Sequence, residues 1–108
     1  MPQADLKYTS DLPLDAPAIL AAIEATIAAF DPDAGACKGR AYKVTDFHHT
    51  HVLVEISVMN RAHRDAAFMD SLALKLEAEI KAHIAAPCAF SLALSFLPNT
   101  YITNLHKP

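Results

Sequence analysis

From Val52 to Val58 the apolar side chains Val52, Val54, Ile56 and Val58 fall at every second position, and across a polar linker, Asn60 to Arg64, the period changes. Phe68, Leu72, Leu76, Ile80 and Ile84 then recur every four residues against Asp70, Lys75, Glu77 and Lys81. After Pro87 the period returns to two, with Phe90, Leu92, Leu94 and Phe96 alternating with Ala89, Ser91, Ala93 and Ser95. Period two is a strand with distinct faces and period near 3.6 is an amphipathic helix, so this half of the chain reads strand, helix, strand. That order is the strongest constraint in the sequence. Two strands joined through a helix pair in parallel, and the crossover is right-handed.

The first half repeats the order with a weaker signal. Pro2, Ala4, Leu6 and Tyr8 alternate with Gln3, Asp5, Lys7 and Thr9 as a half-buried strand would. Asp15 is placed to cap a helix with Pro17 in its first turn, and Ile19, Leu20, Ile23, Ile27 and Phe30 follow at helical spacing up to Asp31-Pro32. Ala36 to Phe47 is the remaining strand, with Gly39 marking a bulge or a close approach.

The pattern therefore predicts one α/β domain over residues 1–108, a β-α-β unit used twice, with a four-stranded sheet and both helices on the same face. The opposite face would carry Leu53, Met59, Ala89, Ala93 and Leu97, and no element remains to cover them, so the expectation is a closed homo-oligomer.

Composition narrows the possible partners. A formal net charge of -3 offers no basic stripe for nucleic acid. No apolar run approaches the ~20 residues that cross a bilayer, and Asp5 and Lys7 interrupt any leader-like segment, which gives a cytoplasmic expectation. In that reducing setting Cys37 and Cys88, which form no C-x-x-C pair, are expected to be packed free thiols.

Motifs for a nucleophile elbow, a dinucleotide site, a phosphate loop and a zinc protease are all absent. What remains is Met1-Pro2 at the start of a strand, with Lys38, Arg40, Arg61 and Arg64 as cations that could converge on it. Once Met1 is removed, Pro2 is a secondary amine. Burial and neighbouring cations both disfavour its charged form and bring its pKa towards neutrality, where a general base works best.

The order of these features resembles the 5-carboxymethyl-2-hydroxymuconate isomerases of the tautomerase superfamily. The likeness lies in Met1-Pro2 leading a strand followed by Thr9-Ser10-Asp11, in the run Cys37 to Val44, in the strand Val52 to Val58 with Arg64 after it, and in Ala93-Leu94-Ser95-Phe96. It spans nearly the whole chain. It implies a tautomerase-like fold with a mixed sheet, a homotrimer, a role in aromatic catabolism, and an isomerase that needs no metal or organic cofactor. It also implies Pro2 as the proton shuttle for a small unsaturated keto or hydroxy acid, and Arg64 as a substrate-binding residue.

Lys38 departs from the resemblance, because it stands where these isomerases usually carry arginine and a lysine cannot grip a carboxylate with a planar fork. Arg40, two residues along the same strand face, is the other candidate for that contact. The Phe47 to Val52 connection and the tail after Phe96 are shorter than in the isomerases. A retained Met1 would make the Pro2 nitrogen an amide with no basic lone pair, and the alternative function is then a catalytically silent trimer that binds a small carboxylate or a protein partner.

The remaining polar residues read more plainly. His48, His49 and His51 lack the further ligands that a structural zinc needs and read as a polar connection. His63, His83 and His106 read as isolated, Tyr8, Phe47 and Tyr101 as packing residues, and Thr100 to His106 as a segment able to cross onto a neighbouring subunit.

Overall fold

A computed structural model describes residues 1–108. Its elements in chain order are β1 (Gln3–Thr9), α1 (Ala16–Phe30), β2 (Lys38–Val44), β3 (His51–Val58), α2 (Ala66–Lys81) and β4 (Ala89–Phe96). Both helices begin on an aspartate. The Asp15 carboxylate accepts from the Ala18 amide at 3.1 Å and the Asp65 carboxylate from the Phe68 amide at 2.9 Å, each satisfying one of the donors that a helix start leaves open.

The sheet runs in the order β2-β1-β3-β4. β1 and β2 are parallel, β3 and β4 are parallel, and the two pairs meet antiparallel through β1 and β3. This is the mixed sheet of two β-α-β units. The antiparallel seam has a consequence for function: the beginnings of β1 and β2 lie at the same end of the sheet as the finishes of β3 and β4. Gln3 faces Lys38 on one side and Ser57 on the other, and Ser57 faces Ser95.

Ala4 and Leu6 from β1, with Val52, Val54 and Ile56 from β3, point to the helices and are buried against Ile19, Ile23 and Ile27 of α1 and Leu72, Leu76 and Ile80 of α2. Full burial of each large aliphatic side chain contributes roughly 1.5–3 kcal/mol, so this layer dominates the stability of the fold. Gly39 is a close-approach position. A Cβ there would stand 2.9 Å from Leu20 Cδ2 of α1.

Polar rows cross the other face, where no element of the chain packs. Lys7 pairs with Glu55 at 3.1 Å, Arg40 with Asp5 at 2.8 Å, and the Ser57 and Ser95 hydroxyls lie 3.3 Å apart. Leu53, Met59 and Leu97 are half-buried there, and Ala89 and Ala93 are exposed.

Several boundaries differ from the sequence reading for local reasons. α2 ends at Lys81, and its continuation tightens into turns in which His83 and Ile84 donate to the Ile80 and Lys81 carbonyls. Ile84 still packs on the core. β2 covers only Lys38–Val44 of the longer span expected. Thr9, assigned by alternation to the polar side, is fully buried at the strand end, where its hydroxyl accepts from the His51 amide.

Candidate active site at the N-terminal end of the sheet

β1 begins with Pro2 buried and Met1 partly exposed beside it. The Lys38 amide donates to the Pro2 carbonyl at 3.0 Å, which ties the start of β1 to the start of β2 and fixes where the terminal amine lies. The Lys38 ammonium lies over this end, 3.2 Å from the Met1 sulfur. From the other side of β1, β3 delivers the segment Met59 to Arg64 to the same end of the sheet. There the Arg64 amide closes a turn on the Arg61 carbonyl at 3.0 Å, so both guanidinium groups stay near the sheet end.

The terminal amine, which in this chain is that of Met1 next to Pro2, accordingly loses basicity. Partial desolvation is the first cause, and the charges of Arg64, Arg61 and Lys38 follow in that order, so its pKa lies below the ordinary value of 8.0 despite a small opposing contribution from Cys37. Both influences favour the unprotonated form of an amine placed among cations. Such a group can accept a proton, and the cations around it can hold an anion in front of it.

The cations are held differently. Arg64 is almost wholly buried. Its Nε donates to Asp31 Oδ2 at 2.7 Å and its Nη1 to the Met59 carbonyl at 2.6 Å. The same Asp31 oxygen lies 3.0 Å from His63 Nε2, and Oδ1 accepts from the Asp33 amide. Burial would push the Asp31 carboxyl up, but the hydrogen bonds from His63 and Arg64, with the Asp33 amide and the Arg64 charge, outweigh it and hold the carboxyl below the usual carboxylate range. Arg61 has no carboxylate partner. Its guanidinium meets only the Asn60 carbonyl at 3.3 Å and the Met59 sulfur at 3.6 Å.

Arg40 is engaged further along the strands. Its Nε pairs with Asp5, and both terminal nitrogens donate to Gln3 Oε1 at 2.9 and 3.0 Å. The structure thus brings Pro2, Lys38 and Arg64 together with Arg61, while Arg40 fastens β2 to β1 on the uncovered face. Gln3 also donates to the Tyr101 hydroxyl at 2.9 Å, which draws the segment after β4 back over β1. Between that segment and Met59–Arg61 lies a cavity of about 160 Å³ lined by Arg61, Asn60, Leu97, Asn99 and Tyr101 among others. A larger groove of about 490 Å³ between α2 and β4 is lined by Asp70, Leu74, Glu77 and Phe90 and includes none of the cations around the amine.

Three residues of this region escaped sequence reasoning. Asp31 looked like a helix stop, and nothing in a separation of thirty-three positions links it to Arg64. His63, read as isolated, is the second partner of Asp31, and Tyr101, read as packing, lines the cavity. Ligand atoms of Asp31, Asp33 and His63 lie within 4.8 Å of one another, but a cation placed there would have to displace the Arg64 guanidinium. Cys37, near the amine, is no nucleophile: burial, aided by Glu24, pushes its thiol up to about 11.

Comparison with solved structures places this architecture. A 5-carboxymethyl-2-hydroxymuconate isomerase from Deinococcus radiodurans R1 superposes with a TM-score of 0.74 at 22% identity, over 96% of this chain and 90% of that one. A 5-carboxymethyl-2-hydroxymuconate delta-isomerase superposes at 0.75 and 12% identity, over 98% and 89% of the two chains. The fold is that of the tautomerase superfamily. A fused 4-OT described as a symmetric trimer has the same tautomerase fold, at a TM-score of 0.72 and 16% identity over 93% of this chain and 89% of its own. No protein-family model and no curated protein matches the sequence. No helix of this tautomerase-fold chain is long and apolar enough to cross a membrane.

Proposed function

We propose that the chain is a cytoplasmic, cofactor-independent isomerase that moves a proton within a small unsaturated keto or hydroxy acid of aromatic catabolism, with the Pro2 nitrogen as general base after removal of Met1. The observation that carries this reading is Pro2 buried at the start of β1 against Lys38, at an end of the sheet where partial desolvation and the charges of Arg64, Arg61 and Lys38 hold even the Met1 amine beside it below its ordinary pKa. The unprotonated imino nitrogen takes a proton from a carbon next to the carbonyl, the electron pair moves to oxygen, and a dienolate forms. Arg64, Arg61 and Lys38 stabilise that developing negative charge and hold the carboxylate. The ammonium then returns the proton to another carbon along the conjugated system, so the base is regenerated with no change in overall charge or redox state.

The site works in a homotrimer, as in the trimeric relative, with a neighbouring copy against the face that carries Leu53, Met59 and Leu97. Arg40 serves this assembly by fixing β2 to β1.

Pro2→Ala tests the mechanism. With phenylpyruvate or a 2-hydroxymuconate as substrate, wild-type protein lacking Met1 is expected to turn over and the variant to lose at least ~10²-fold in rate, the usual contribution of a general base. Equal rates in both proteins would refute the role of Pro2. An intact mass that retains Met1 would favour the second reading, a silent carboxylate-binding or protein-binding trimer, in which the Met1 sulfur stays beneath the Lys38 ammonium.

A further inference from the structure

Among the charges acting on the terminal amine, Arg64 is the largest, yet it is the one whose own place depends most on another residue. A guanidinium with 4% of its side chain exposed stays inside a protein only where an anion and good acceptors receive it. Asp31 supplies the anion and Met59 supplies a carbonyl, and they fix two different nitrogens of the planar group, which sets its direction as well as its position. Asp31 is itself fixed. It caps the C-terminus of α1, its amide donating to the Ile27 carbonyl at 2.8 Å, and its second oxygen is held by the Asp33 amide. The rigid end of α1 is thereby coupled through one carboxylate to the chemistry at the start of β1.

From this geometry we infer that Asp31 is a positioning residue of the active site, which holds the Arg64 guanidinium beside the terminal amine with His63 as its partly exposed second partner. The Asp31 carboxylate bonds to Arg64, His63 and the Asp33 amide and not to the amine. It acts by denying Arg64 the alternative of swinging out to water. The consequences for substrate rest on the isomerase reading, whereas the consequence for the amine does not, since the amine senses Arg64 whether or not it catalyses anything.

The test is a cycle of Asp31→Asn, Arg64→Gln and the double variant in the full-length protein, with NMR titration of whichever amine the mature chain carries, Met1 or Pro2. Arg64→Gln removes the charge and should raise the amine pKa. Asp31→Asn releases the guanidinium, and its amine should rise to within about 0.2 units of Arg64→Gln, with no further rise in the double variant. An amine unchanged in Asp31→Asn, or one that falls because an unneutralised Arg64 has stayed in place, overturns the inference. In turnover assays kcat/KM should fall about tenfold or more, the size expected for losing a hydrogen bond to a charged group, and the pH at which activity appears should rise with the amine pKa. A shifted amine in a protein with no isomerase activity would leave the positioning role standing and remove only the proposed reaction.

If Asp31→Asn does not fold, hydrogen exchange in the wild-type protein decides the matter. The Arg64 Nε proton should exchange with water far more slowly than that of Arg61, and equal rates would overturn the inference.

Discussion

Replacing Arg64 by methionine leaves the Asp31 carboxylate in a site where 4% of it meets solvent. Removing one partner of a buried ion pair costs ~3–5 kcal/mol, because the remaining charge is neither solvated nor paired. Here the carboxylate keeps the Asp33 amide and His63, which favours the lower end, while the Met59 carbonyl loses its donor, which adds about 1 kcal/mol. The expected loss for Arg64→Met is therefore ~3–4 kcal/mol, a fall in melting temperature of roughly 12–16 °C at about 4 °C per kcal/mol. Combining it with Asp31→Leu removes the stranded charge and should recover at least about half of that loss. Urea unfolding at fixed protein concentration measures both, since any assembly would make the apparent stability depend on concentration. A single substitution that costs under about 1 kcal/mol, or a double variant as unstable as the sum of its singles, would refute the reasoning that this is a buried, mutually dependent pair.

Three further outcomes follow from the same structure. The Asp31 carboxyl is held below its ordinary value of 3.8, so the stability it contributes is present above that pH and is lost as pH falls through the lower folded-state value; acid unfolding monitored by circular dichroism should lose this component in Asp31→Asn. Ile23→Ala, at a fully buried position between the helices and the sheet, should cost ~2–5 kcal/mol in denaturant unfolding, and a cost below about 1 kcal/mol would contradict its place in the core. With its thiol pushed up to about 11, Cys37 should react with iodoacetamide at pH 7.5 far more slowly than an unhindered free thiol, and equal rates would contradict the burial described.

The parts of this protein that were legible in the sequence are those where a period repeats over several residues. Val52 to Val58 and Phe68 to Ile80 carry uninterrupted alternation and helical spacing, and they became β3 and α2 with the expected faces buried. The β-α-β order then dictated parallel pairing within each unit, which the register confirms. Where a few local hydrogen bonds decide the structure, periodicity carried no information. Thr9 is buried because one amide from β3 meets its hydroxyl, and α2 stops at Lys81 because its next turn tightens. The cluster of cations was visible only as a list of residue types. Lys38, Arg40, Arg61 and Arg64 look alike in sequence, and what separates them is the partner each finds: Arg40 meets Asp5 and Gln3, Arg64 meets Asp31, and Arg61 meets no carboxylate. Those partners come from other elements, through the antiparallel seam of β1 and β3.

The most direct measurement is an NMR titration of the isotope-labelled Pro2 nitrogen in the purified, mature protein. A free imino group that gives up its proton below the range usual for a chain-terminal amine, and returns towards that range in Arg64→Gln, is the expected result. A Pro2 nitrogen blocked by Met1, or one that stays protonated across the neutral range, would contradict the proposed proton transfer.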